Sequence, residues 1–237
     1  MPRTKTSGRA IVPVERTTNL PVLPERVAIG GKEVRPLQFF TNPHRHPGGP
    51  GPWEYEPDKL AWIDAPTGKH CILLRQIAGE WAGFVGVDPD HPLWGFHVDA
   101  IPAACNLRVH GAIDYAQDCQ NDERPEISVC HLPSEADRLR ATRPSRRSSF
   151  CDERHADMWW LGFTANQLGD LLPNRVRTLE PEEGGVYRDI DYMYGEVIRL
   201  AAQLHALESS SIGALCAGRL AVPSSTVAKE GVGDVQG

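Results

Sequence analysis

Between Asp189 and Glu208 the apolar residues Met193, Val197, Leu200, Ala201, Leu204 and Leu207 recur three and four apart. They form one stripe along a predicted helix of about five turns. Upstream of it the signals are short and extended, so this helix needs a sheet against which to bury its stripe. Lys69 to Ile77 and Glu80 to Val87 flank Ala78-Gly79 as a predicted hairpin. Leu107 to Tyr115 and Glu126 to Leu132 alternate with period two, and Asp157 to Phe163 is a dense aromatic run suited to a strand covered on both faces. Strands first and one long helix last predict an α+β fold: a small, mostly antiparallel sheet with a C-terminal amphipathic helix on one face.

Pro and Gly punctuation sets the expected limits of that fold. Pro47 to Gly51 consists wholly of these two residues, which oppose helix and strand alike. Residues 1 to 51 therefore read as a disordered extension, 52 to 208 as one domain, and 209 to 237, rich in Ser and Gly, as a flexible tail. Within the domain, residues 133 to 156 read as an insertion loop. It holds Arg138 to Arg147, with five Arg and no acid.

Charge narrows the functional classes. The net charge is −6, yet residues 1 to 50 carry eight Lys/Arg against three acids, and residues 51 to 132 carry five against thirteen. A nucleic-acid binder needs a basic folded face, because phosphate contacts supply most of its affinity. Here nucleic-acid contact is disfavoured except through the Arg-rich loop. For a phosphate-bearing ligand, Arg75, Arg108 and Arg124 are the cations that would have to converge. No run reaches the ~20 apolar residues of a membrane helix and no export signal opens the chain, so a soluble, cytoplasmic protein is expected.

Six cysteines in a chain of this length read as thiols or metal ligands rather than as a disulfide framework. Cys119, Cys130, Cys151 and His155 would make a Cys₃His set of a kind zinc accepts, although no Cys-x-x-Cys knuckle is present and separate thiols explain them as well. His44 and His46 read as linker residues, since an isolated pair rarely closes a four-ligand site.

An ordered succession of motifs covers residues 53 to 208: Trp81-Ala-Gly-Phe-Val-Gly-Val-Asp-Pro-Asp-His-Pro-Leu-Trp-Gly95, Val109-His-Gly111, Val129-Cys-His131, Trp159-Trp-Leu-Gly-Phe163, Gly169-Asp170 and Tyr187-Arg-Asp-Ile-Asp-Tyr192. In this it resembles a family of uncharacterised bacteriophage and prophage proteins. The resemblance implies phage-type ancestry and supplies no reaction. Where the family pattern carries an Asp, a Cys and a His, this chain has Thr164, Ala165 and Gln167. Those three types are what nucleophilic attack and proton transfer require. Either a working site has been lost here, or the family's Asp and His only satisfy buried backbone groups, as Thr and Gln also can.

Two functional classes follow. One is a noncatalytic module whose aromatic pocket, with Trp94, His91, Tyr115, Trp159, Trp160, Thr164 and Gln167 as candidate contacts, holds a small molecule or a host protein. The other is a hydrolase-like enzyme using His110 and Asp170, with or without a metal, since an imidazole beside a carboxylate can carry a proton.

Overall fold

A computed structural model describes residues 23–120, 123–130, 158–174 and 185–210 of the 237. A short hairpin of β1 (Val27–Ile29) and β2 (Lys32–Val34) stands by itself. The main sheet contains β3 (Gln38–Phe40), β4 (Lys59–Ile63), β5 (His70–Arg75), β6 (Trp81–Val87), β7 (Tyr115–Asp118) and β8 (Trp159–Thr164). Its order is β3-β4-β5-β6-β8-β7, with every neighbouring pair antiparallel. The helix α1 (Ile190–Glu208) follows, capped by Asp189, whose side chain accepts from the Tyr192 N–H at 2.8 Å. The α+β expectation therefore holds, and no helix among the described residues is long and apolar enough to cross a membrane.

Helix and sheet meet through alternating strand residues. Leu60, Trp62, Leu73, Trp81, Val85, Leu161 and Phe163 face Met193, Val197, Leu200, Ala201 and Leu204 in one cluster, all essentially inaccessible. At the centre of the seat, Gly83 lets the helix approach: a Cβ there would lie 2.4 Å from Val197 Cγ2. The opposite face is not bare. Ala61, Ile72, Leu74, Ala82, Phe84 and Trp160 pack there with Val129 and Met158. Lys59 is buried on that face, its ammonium donating to the carbonyls of Pro125 and Cys130. Desolvation pulls its pKa down to about 7.

Three expectations from pattern need correcting. The folded part starts well before residue 52, because β3 pairs with β4 and the loop after it is tied down by the Asn42 N–H and the His46 imidazole, both on the Asp58 carboxylate. Leu107 to Asp114 forms no strand. Its apolar residues Leu107, Val109 and Ile113 do pack on the core, but Gln203 of α1 takes up both the N–H and the carbonyl of Arg108, where a neighbouring strand would otherwise serve. Residues 126–130 likewise form no strand: the Ile127 and Ser128 N–H groups turn back to the Arg124 carbonyl, while Gln120, Ser128 and Lys59 serve the Val129 N–H, the Cys130 N–H and the Cys130 carbonyl from side chains.

A charged network closes one end of the core. Glu56 accepts from Arg75 Nη2 at 2.7 Å, from Trp81 Nε1 at 3.0 Å, from the Tyr187 hydroxyl, and from the N–H of Ile190 at 2.8 Å. Arg75 also donates through Nε to Asp58 at 2.7 Å and stacks 4.3 Å over the Trp81 ring. Its guanidinium is wholly enclosed, so the first of the three candidate phosphate cations is already neutralised. A buried cation must be paired in this way to escape a prohibitive desolvation cost.

Candidate functional site

The two residues singled out for proton chemistry do meet. His110, on the loop before β7, places Nε2 2.6 Å from Asp170 Oδ2, on the turn after β8. The same carboxylate accepts from the Gln167 N–H at 2.9 Å and, through Oδ1, from Arg188 Nε at 2.9 Å. Burial by itself would raise the Asp170 pKa, but Arg188, His110 and the Gln167 N–H together outweigh it and hold the carboxylate below its ordinary range. Asp170 is therefore an acceptor only, and Nε2 of His110 carries the proton between them.

The other imidazole nitrogen is also engaged. His110 Nδ1 lies 3.0 Å from the Tyr192 hydroxyl, which donates to it when the ring is neutral. Tyr192 stands in the first turn of α1, edge-on to the imidazole, with Arg188 stacked 4.8 Å over its ring. Burial raises the Tyr192 pKa, so its hydroxyl acts as a donor and not as a nucleophile at neutral pH. The chain Asp170, His110, Tyr192 thus joins three segments, and neither ring nitrogen is left with a free lone pair or proton for a substrate. Sequence reasoning placed the first two and missed Arg188 and Tyr192 as partners, although both stand in the Tyr187-to-Tyr192 motif already noted.

The proposed aromatic lining is not one pocket. Trp159 and Trp160 are consecutive in β8 and point to opposite faces. Trp159 packs near Trp94 (ring centroids 6.4 Å apart) and His97, and donates to the Phe96 carbonyl. Trp160 is buried in the second face. His91 is buried too, with Nε2 3.0 Å from the Leu204 carbonyl and Nδ1 accepting from the Leu93 N–H. Burial lowers its pKa, so it serves as a neutral strut. Tyr115 and Thr164 line a separate cavity of about 320 Å³ with Asp114 and Gln120. Gln167 stays beside His110 through its bond to Asp170, and Ala165 is buried with its N–H on the Trp81 carbonyl.

Cys119 and Cys130 are joined in a disulfide, with Cα atoms 5.0 Å apart. This corrects their reading as separate thiols or zinc ligands, because a disulfide sulfur offers no thiolate to a metal. Cys151 and His155 lie outside the described residues, as do His131 and the Arg138 to Arg147 run. Among the described residues no group of three or more His, Cys, Asp or Glu is disposed to hold a metal.

Two further cavities were not foreseen. One, of about 400 Å³, is bordered by His46, Glu54 and Asp58; the other, of about 600 Å³, lies between the β1–β2 hairpin and the end of β4. Comparison of the chain with protein-family models, curated proteins and solved structures finds no match.

Proposed function

We propose that this protein is a phage-type accessory module that binds a small ligand or a partner without catalysing a reaction. The observation that carries this reading is the saturation of His110. A general base needs a nitrogen within reach of a substrate proton, and here Asp170 and Tyr192 occupy both. Thr164, Ala165 and Gln167 add no thiolate, imidazole or carboxylate nearby. Binding asks for less than chemistry does, namely a concave, largely apolar surface with a few oriented polar groups, and the fold offers several cavities of suitable size.

A hydrolase-like role for His110 and Asp170, with or without a metal, is the second reading, favoured by their 2.6 Å contact. A panel of nucleotide and ester substrates separates the two. The binding reading expects no turnover above the buffer rate and no difference between the native protein and His110→Ala. Turnover that His110→Ala abolishes would establish the enzyme instead.

A further inference from the structure

The cavity of about 320 Å³ on the second face of the sheet lies against the loop that the Cys119–Cys130 disulfide closes. Leu74 and Phe84 give it an apolar floor, and Ile127 and Val129 of that loop extend it. Two of the residues that line it are charged, Arg45 and Asp114, and they are of opposite sign. Among the described residues neither makes an ion pair, with the other or with a third group.

Both charges are held in place with capacity to spare. Arg45 is half-buried and donates from Nη1 to the Arg75 carbonyl at 2.9 Å, which leaves the rest of its five-donor fork for a ligand. Asp114 is fixed by its own N–H on the Gly162 carbonyl, and its Oδ2 accepts from the Thr164 N–H at 3.0 Å. A carboxylate has lone pairs for about four bonds, so acceptor sites remain. Both charges are also partly stripped of water. Burial lowers the Arg45 pKa against the pull of Glu80 and Glu123, which act from beyond ion-pair distance, and burial raises the Asp114 pKa, which its bonds to Thr164 offset only in part. A partly desolvated charge gains more from a counter-charge than a fully hydrated one does.

Opposite charges that border one small cavity without meeting select a molecule that brings a carboxylate to the first and an ammonium to the second. We infer that this cavity binds a free α-amino acid with an apolar side chain, its carboxylate on Arg45, its ammonium on Asp114 and its side chain over Leu74 and Phe84. The volume, near the lower limit of ligand cavities, suits so small a molecule. The proposal rests on the binding reading above and adds a place and a ligand class to it.

The test uses the full chain at neutral pH with L-leucine, with L-leucinamide, which lacks the carboxylate, and with N-acetyl-L-leucine, which lacks the ammonium. Backbone amide resonances are followed by NMR, above all that of Thr164, whose N–H donates to Asp114. Leucine should move the Thr164 amide and saturate. Each analogue should bind at least about tenfold more weakly, equivalent to roughly 1.4 kcal/mol. Arg45→Gln should erase the preference over leucinamide and keep that over N-acetyl-leucine, and Asp114→Asn should do the reverse. Arg45→Lys, which retains the charge, should keep both preferences. An unmoved Thr164 amide, equal binding of either analogue by the native protein, or a preference that survives its own variant would overturn the assignment. If leucine instead shifts the amides of Phe39 and His46, this cavity is refuted while the binding function stands. If no compound binds and His110-dependent turnover appears, the binding function itself falls.

Discussion

Removing the Glu56 carboxylate should be among the most damaging single changes available in this fold. Glu56 receives four donors from three parts of the chain: Arg75 from β5, Trp81 from β6, and Tyr187 with the Ile190 N–H at the entry to α1. In Glu56→Ala the Trp81 indole N–H, fully buried, loses its acceptor at a cost of about 1–3 kcal/mol. Arg75 retains Asp58 and the Gly79 carbonyl, so its charge is weakened in its pairing without being abandoned. Breaking a buried pair by deleting one member costs about 3–5 kcal/mol, and that range is the expected loss. For an ordered part of this size it corresponds to a fall in Tm on the order of 10 °C. Urea unfolding followed by far-UV circular dichroism measures the loss by linear extrapolation. Combining Glu56→Ala with Arg75→Met should cost clearly less than the sum of the single variants, since two apolar groups leave no unpaired charge. A loss below about 1 kcal/mol, or strict additivity, would refute the argument that this network holds the helix entry to the sheet.

Three further outcomes are expected. Asp170 has a folded pKa below its unfolded value, so its contribution is present above the unfolded pKa near ~4 and disappears as pH falls through the folded value. Asp170→Asn should therefore cost roughly 1.5–3 kcal/mol at pH 7, the scale of a hydrogen bond to a charged group, and should flatten the acid limb of a stability profile against the native protein. Lys59 gives a rise of the same sign in a higher window: with a folded pKa near 7 against ~10.4 unfolded, the unfolded chain binds more protons between those values and stability rises with pH through that window, because the cost of burying the charged amine is relieved. Lys59→Met should remove most of that rise between pH 7 and 9, and an unchanged slope would show that the amine is not desolvated. Finally, Cys119→Ser with Cys130→Ser should cost about 3 kcal/mol, from the closure entropy of a loop with a sequence separation of 11. Mass spectrometry of the native protein with and without reductant checks that the bond is present.

How far the fold could be read in advance depended on where its backbone hydrogen bonds go. β5, β6, β8 and α1 satisfy theirs within regular ladders or turns, and their apolar periodicity announced them closely. Leu107 to Asp114 has equally clear alternation, and the buried side of that alternation is real. Its peptide groups, however, are served by Gln203 and by the Gly162 carbonyl, and long-range partners of that kind leave no local pattern. The same holds for residues 38 to 58. Pro and Gly there suggest a linker, whereas Asn42, His46 and Asp58 pin the segment through side chains sixteen residues apart or fewer. His110 and Asp170 could be chosen by residue type, but that their meeting exhausts the imidazole depends on Tyr192, 82 residues beyond His110. The disulfide is not legible because a chain without an export signal reads as intracellular, where thiols stay reduced, and composition says nothing of two Cα atoms brought to 5.0 Å.

The sheet ends on each side in a very short strand, three residues in β3 and four in β7. A full central strand left at the border would offer a long row of free N–H and carbonyl groups, a template on which a neighbouring molecule could extend the ladder. Here the rows available to a newcomer among the described residues are too brief to hold register, and β7 ends in the exposed pair Gln117 and Asp118. The molecule thus keeps its strongly β-forming sequences, such as Cys71-Ile-Leu-Leu74 and Trp159-Trp-Leu-Gly-Phe163, in the middle of the sheet and away from its borders. Crowded solutions of the native protein should consequently resist edge-to-edge polymerisation. The hazard moves to partly unfolded chains, in which β5 and β8 are stripped of their neighbours.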